Sequence, residues 1–169
     1  MPAHKNPSTL QKIRRHHALE HATIRILNRR LPHLRLAGWS APGGFYIYGA
    51  VTAAQLKTAI TEALTRISRG ERHLAVHPRC GTNVVTAGML VGLISFVSML
   101  PGDQRARRTR LPLVLLLSTL SLLLAQPLGL AVQQHVTTDA NVDSVSSVSI
   151  DSYQLGQVPV HRVQLEHRH

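Results

Sequence analysis

Apolar residues recur at helical spacing between residues 7 and 30, with Ile13, Ile24 and Leu27 on one side and Arg14, Ala18, Arg25 and Arg29 on the other. Asn6 before Pro7 supplies an N-cap and a first-turn proline, and Pro32 ends the run. Residues 34–40 and 44–51 read as two strands around the turn Pro42-Gly43-Gly44. Residues 52–69 read as a helix with Leu56, Ile60, Ala63, Leu64 and Ile67 on one face, stopped by Gly70, and Leu74-Ala75-Val76 as a short strand.

Two stretches then change character. Residues 83–100 are uncharged and apolar for 18 positions, and residues 111–132 are uncharged for 22. Both reach the length of a membrane span, and the leucine runs 113–117 and 120–124 are apolar all round, as lipid requires. Pro127 and Gly129 are tolerated in such a helix. Neither stretch is N-terminal and residues 1–30 are polar and basic, so no signal peptide is expected.

Beyond the spans, residues 145–155 and 158–165 form two β-rich runs around Gly156, with Val148 and Ile150 alternating against serine and aspartate. An isolated hairpin is marginal in water. Two spans return the chain to the side it left, so this hairpin is expected to join the N-terminal sheet. The fold class is therefore α+β: a small helix-and-antiparallel-sheet metal-binding domain (1–82), interrupted by a two-helix transmembrane hairpin (83–100 and 111–132), and completed by a C-terminal β-rich segment (133–169).

The net charge of +11 raises the question of nucleic acid. Base stacking needs aromatics, and the soluble part offers Trp39, Phe45, Tyr46, Tyr48 and Tyr153, mostly in one predicted strand, with no recognised nucleic-acid motif. No specific nucleic-acid partner is expected. Beside membrane spans, Arg14, Arg15, Arg25, Arg29 and Arg30 suit anionic headgroups or a solvated helix face.

The candidate chemistry lies in His17-Ala18-Leu19-Glu20-His21. Residues at i, i+3 and i+4 share a helix face, so His17, Glu20 and His21 can converge on one metal ion; the alternative is a buried polar cluster without chemistry. His16, about 100° around the helix, is expected to be a partly exposed neighbour. The single cysteine, Cys80, has no intrachain disulfide partner. It is either an inert thiol or a third zinc ligand that leaves a fourth position open, with His77 as the alternative third ligand.

Taken in order, H-x-L-E-H at 17–21, the segment Ser40-Ala41-Pro42-Gly43-Gly44-Phe45-Tyr46, a helix, and Cys80-Gly81-Thr82 resemble the S-ribosylhomocysteine lyase family, over about 65 residues. That family carries an H-T-L-E-H helix, a strand with G-F-Y and a C-G-T turn. The resemblance implies zinc held by His17, His21 and Cys80, with Glu20 as acid/base. The loop before Gly44-Phe45-Tyr46 lacks the cysteine that the lyases use for proton transfer, and only 16 residues precede His17, so lyase activity is not expected. The run His17 to Ile24 also resembles uncharacterised bacterial membrane proteins, which implies no activity.

The function expected is a membrane-anchored zinc protein in which Glu20 serves as general base for hydrolysis of an amide or ester. The rival is a non-catalytic, zinc-stabilised membrane subunit or adaptor, with a membrane-protein partner or a second copy of itself. Arg105, Arg107, Arg108 and Arg110 crowd the loop between the spans, which the positive-inside rule would keep in the cytoplasm. Against this, the first 80 residues are rich in lysine and arginine and carry a free thiol, which suits a reducing compartment. The metal domain is expected on the cytoplasmic side of a bacterial inner membrane.

Overall fold

The structure, a computed structural model, describes residues 7–100 and 104–167. The chain divides into two compact units, one from Pro78 to Gln133 and one made of the chain on either side of it.

The first unit is α+β, as its pattern of apolar positions implies. Helix α1 (Thr9–Arg30) starts at Ser8, whose side chain and that of Gln11 form a reciprocal capping box. The predicted cap, Asn6, lies outside the described residues; Ser8 takes the role because a glutamine stands three positions on. Strands β1 (Ala37–Ala41) and β2 (Gly44–Tyr48) form a two-residue hairpin. Gly44 is required there: its φ is +146°, and a Cβ would approach the Val163 carbonyl carbon to 3.0 Å. Helix α2 (Ala53–Ser68) has the same capping box, Thr52 with Gln55. Its buried face is Leu56, Ala59, Ile60, Ala63 and Ile67.

Strands β3 (Val145–Leu155) and β4 (Val158–His167) complete one antiparallel sheet of order β1-β2-β4-β3. The C-terminal hairpin thus joins the N-terminal one, Phe45 facing Val163 and Ile47 facing His161. A single core of Leu19, Leu27, Phe45, Ile47, Leu56, Ile60 and Val163, each at most 1% exposed, forms where the two helices cover one sheet face.

Three expectations change. Ala18, placed outside by the sequence pattern, is fully buried, because α1 is enclosed on most sides rather than along one stripe. His16 is likewise fully buried. Residues Arg72–Ala75 form a 3₁₀ turn instead of a strand. The carbonyls of His73, Ala75 and Val76 accept from Arg25 and His21 on α1, which takes the place of a strand partner.

The second unit is a helical hairpin, α3 (Gly81–Met99) and α4 (Gln104–Val132). Both helices are long and apolar enough to cross a membrane. At 1.5 Å per residue the 19 residues of α3 extend about 28 Å, close to the thickness of a hydrocarbon core. No described residue of α3 is buried, and Val84, Met89, Leu93 and Phe96 are 60% exposed or more. The helices meet where Gly129 faces Asn83, whose Cα would lie 2.9 Å from an added Cβ, and where Gln133 donates to Asn83 Oδ1 at 2.7 Å. Ser95 and Ser118 bond across the hairpin at 3.2 Å. Arg105, Arg107, Arg108 and Arg110, expected in a loop, belong to the first turns of α4, since arginine is a strong helix former and the helix continues through Pro112.

Candidate functional site

Helix α1 carries its polar side chains in two stripes, each an i, i+4 pair, set about 100° apart. His17 and His21 form the first. Their ring centroids are 4.2 Å apart, tilted by 60°. The His17 Nδ1 lies 3.0 Å from the carbonyl of Thr137 and the His21 Nδ1 2.7 Å from that of Ala75. A carbonyl only accepts, so each Nδ1 carries the proton and donates, which makes Nε2 the lone-pair nitrogen of both rings. His77 stands next to this pair, its ring centroid 5.8 Å from that of His21. Arg25 positions that segment by donating to the carbonyls of His73 and Val76 at 3.0 and 3.3 Å.

His16 and Glu20 form the second stripe, facing β1. The Ser40 hydroxyl donates to Glu20 Oε2. Gly38 lies beneath the same carboxylate, where a Cβ would come within 2.6 Å of Glu20 Cδ. Glu20 is 5% exposed, so β1 forms a cradle for it: a glycine for room and a serine for a hydrogen bond.

His16 donates from Nδ1 to the Ala41 carbonyl at 2.7 Å, so its Nε2 must accept, from His167 Nε2 at 2.8 Å. His167 Nδ1 then accepts from the Ser144 hydroxyl at 2.9 Å. Arg15 donates to Ser144 Oγ at 3.1 Å and pairs with Asp139 at 3.2 Å. Burial, with Lys12 and Arg15 nearby, pushes His16 below the usual histidine range, although its bond to Ala41 opposes this. His167 is lowered by burial first, then by His16, Lys12 and Arg15. Both nitrogens of His16 are engaged by these contacts.

In the second unit Cys80 is the N-cap of α3, its Sγ accepting from the Thr82 amide at 3.4 Å. His17 and His21, in the first unit, and Cys80, in the second, are each of a residue type that ligates metal ions. Ser40 and Gly38 were visible in the sequence only as part of the strand segment; their role depends on which face of β1 meets α1. Thr137, His167 and Ser144 carry no local signal, because each meets α1 from more than 110 residues away.

The chain matches a family described as a domain of unknown function, DUF6391, over residues 12–150. It belongs to that family. An uncharacterised protein of Picosynechococcus sp. is 37% identical over 137 residues, covering 75% of this chain. The chain spans 65% of that relative's length. No solved structure matches it. This family member therefore joins two membrane-length helices to a four-stranded α+β unit, within an uncharacterised bacterial family.

Proposed function

We propose that this DUF6391 protein is a membrane-anchored zinc protein, with His17 and His21 of α1 and Cys80 at the start of α3 as ligands. The observation that carries this reading is the pair of Nδ1–H···O=C bonds from His17 and His21 to Thr137 and Ala75. Backbone carbonyls holding one imidazole nitrogen, so that the other presents its lone pair, is the support that metal-ligating histidines receive. Cys80 follows His77 by three residues, a reach of about 10 Å of extended chain, and His77 already stands beside His21. Two nitrogens and one thiolate suit zinc, and three protein ligands leave a position for water or substrate.

Bound there, zinc supplies Lewis acidity, which makes water a better nucleophile near neutral pH. Glu20 would accept and return the proton during hydrolysis of an amide or ester, with Ser40 and Gly38 fixing its carboxylate. In this reading the chemistry occurs at the bilayer surface, which the N-cap position of Cys80 at a membrane-length helix supports. We place the protein in the bacterial cell membrane with the metal domain in the cytoplasm, supported by its basic character and free thiol, with anionic headgroups around its arginines. One observation favours a non-catalytic reading, with zinc only fixing the fold: Glu20 is almost fully buried and bonded to Ser40.

Detergent-purified protein is expected to hold about one zinc per chain, the stoichiometry of a three-ligand site. Cys80→Ser and His21→Ala should each remove most of it, and His16→Ala should not. A metal-free parent, or equal loss from all three variants, sinks the zinc site. Glu20→Gln separates the two readings: retained zinc with loss of hydrolysis indicates a base, whereas reduced zinc affinity indicates a structural group.

A further inference from the structure

The sheet covers its helices with one face only. Register places Phe45, Ile47, Val163 and Leu165 against the core, so the alternate positions point away from it. Towards the β3–β4 turn those positions are apolar, Trp39 on β1, Tyr46 and Tyr48 on β2, Tyr153 and Leu155 on β3 and Val158 on β4, and the polar Ser149, Asp151, Arg162 and Gln164 lie beside them. Trp39 is 69% exposed, Leu155 63%, Tyr153 47% and Val158 45%. Val160, between its cross-strand partners Tyr48 and Tyr153, is fully buried, so the patch is continuous across the strands. A contiguous apolar surface of this kind on a small domain marks a contact with something else.

The chemistry of the patch selects the occupant. Its one cation, Arg162, sits opposite Asp151 across the β3–β4 pair, so the face offers no net positive charge for phosphates and does not suit nucleic acid. Tryptophan and tyrosine with a few aliphatic residues are the set that favours the boundary between lipid headgroups and hydrocarbon. The first unit is also joined to the membrane-length helices twice, with His77 four residues before the start of α3 and Gln134 two residues after the end of α4. Helices inserted in a bilayer would hold this unit at the surface through two short tethers, at high effective concentration. We infer that the outer sheet face, centred on Trp39, Tyr48 and Tyr153, docks into the headgroup layer of the membrane. This rests on the membrane-anchored reading and is independent of zinc.

Trp39 is the single tryptophan of the chain, so intrinsic fluorescence reports on this face alone. The full-length protein is reconstituted into phosphatidylcholine–phosphatidylglycerol vesicles whose acyl chains are brominated either near the headgroup or near the methyl end. Shallow bromine is expected to quench Trp39 severalfold more than deep bromine, aqueous acrylamide should quench weakly, and Leu155→Asp should reduce the bromolipid effect. Emission that is open to acrylamide and insensitive to bromolipids overturns the inference. Shielding from acrylamide without bromolipid quenching also overturns it, in favour of a second protein chain. An alkaline carbonate wash of the same vesicles separates the two levels. Protein washed away defeats the membrane anchor itself, whereas retained protein with a water-exposed Trp39 defeats only the docking face.

Discussion

Gly38→Ala tests the Glu20 cradle directly, because the substitution adds one methyl group and nothing else. The backbone of Gly38 has no left-handed φ, so alanine is conformationally allowed there and would by itself stabilise the fold by about 0.4–1 kcal/mol. The new Cβ, however, would stand 2.6 Å from Glu20 Cδ and 2.8 Å from Cγ, well inside van der Waals contact. Glu20 cannot move away cheaply, since it is 5% exposed and its carboxylate accepts from Ser40. Overpacking of this kind, with the hydrogen bond to Ser40 strained or lost as the strain is relieved, costs about 2–4 kcal/mol in all. A net destabilisation of about 1–3 kcal/mol is expected, or several degrees in the melting temperature of a chain this size. In a Glu20→Ala background the clash disappears, and the same Gly38→Ala change should become neutral or stabilising. The assay is a double-mutant cycle by thermal and denaturant unfolding in detergent, with the coupling expected at about 2 kcal/mol. A neutral Gly38→Ala in the parent, or an equal loss in both backgrounds, would refute the cradle.

Other outcomes follow from the same contacts. His16 and His167 are held below the unfolded histidine value, so they contribute stability that is complete above about pH 6.5 and lost as pH falls through their lowered folded values. Unfolding of metal-free protein between pH 8 and pH 5 should show this loss, and His167→Gln should flatten it; an unchanged slope counts against the histidine pair. In the helical hairpin, Gly129→Val would drive a side chain against Asn83 backbone and cost about 1–3 kcal/mol, whereas Gly92→Val meets open space and should be tolerated; equal effects in protease-resistance assays would contradict the close approach. Protease added to sealed inside-out vesicles should cut residues 1–80 and 135–169 together and spare the segment around Arg105 to Arg110, and cleavage of that segment alone would reverse the proposed orientation.

Much of the fold is legible because local and global signals agree. The apolar face of α2 at Leu56, Ile60, Ala63 and Ile67, the turn at Pro42-Gly43 and the alternation of Val148 and Ile150 each mark an element that forms where its pattern predicts. The misread parts are those decided at long range. Residues 74–76 look like a strand by composition, but Arg25 and His21 occupy the carbonyls a ladder would need. The arginines after residue 104 look like a loop by charge, yet arginine is a good helix former and α4 runs through them. Ala18 and His16 look outward from one helix alone and become buried once β1, β4 and the segment before β3 close around α1.

The H-x-x-E-H motif shows why spacing and role separate. On an isolated helix Glu20 is a neighbour of both His17, at i+3, and His21, one position on, and the motif reads as a single cluster. In the folded unit the partner of Glu20 at i−4 is His16, and these two face β1 while His17 and His21 face Thr137 and Ala75. An extra histidine at position 16 therefore supplies the sheet-facing stripe with a member of its own and gives Glu20 company unrelated to a metal. The two imidazoles of the outer stripe keep the tautomer that zinc requires whether or not Glu20 ever moves a proton. The proposed metal binding and the proposed catalysis are thus separable for this helix, and Glu20→Gln, with zinc content read beside turnover, distinguishes them where the motif alone does not.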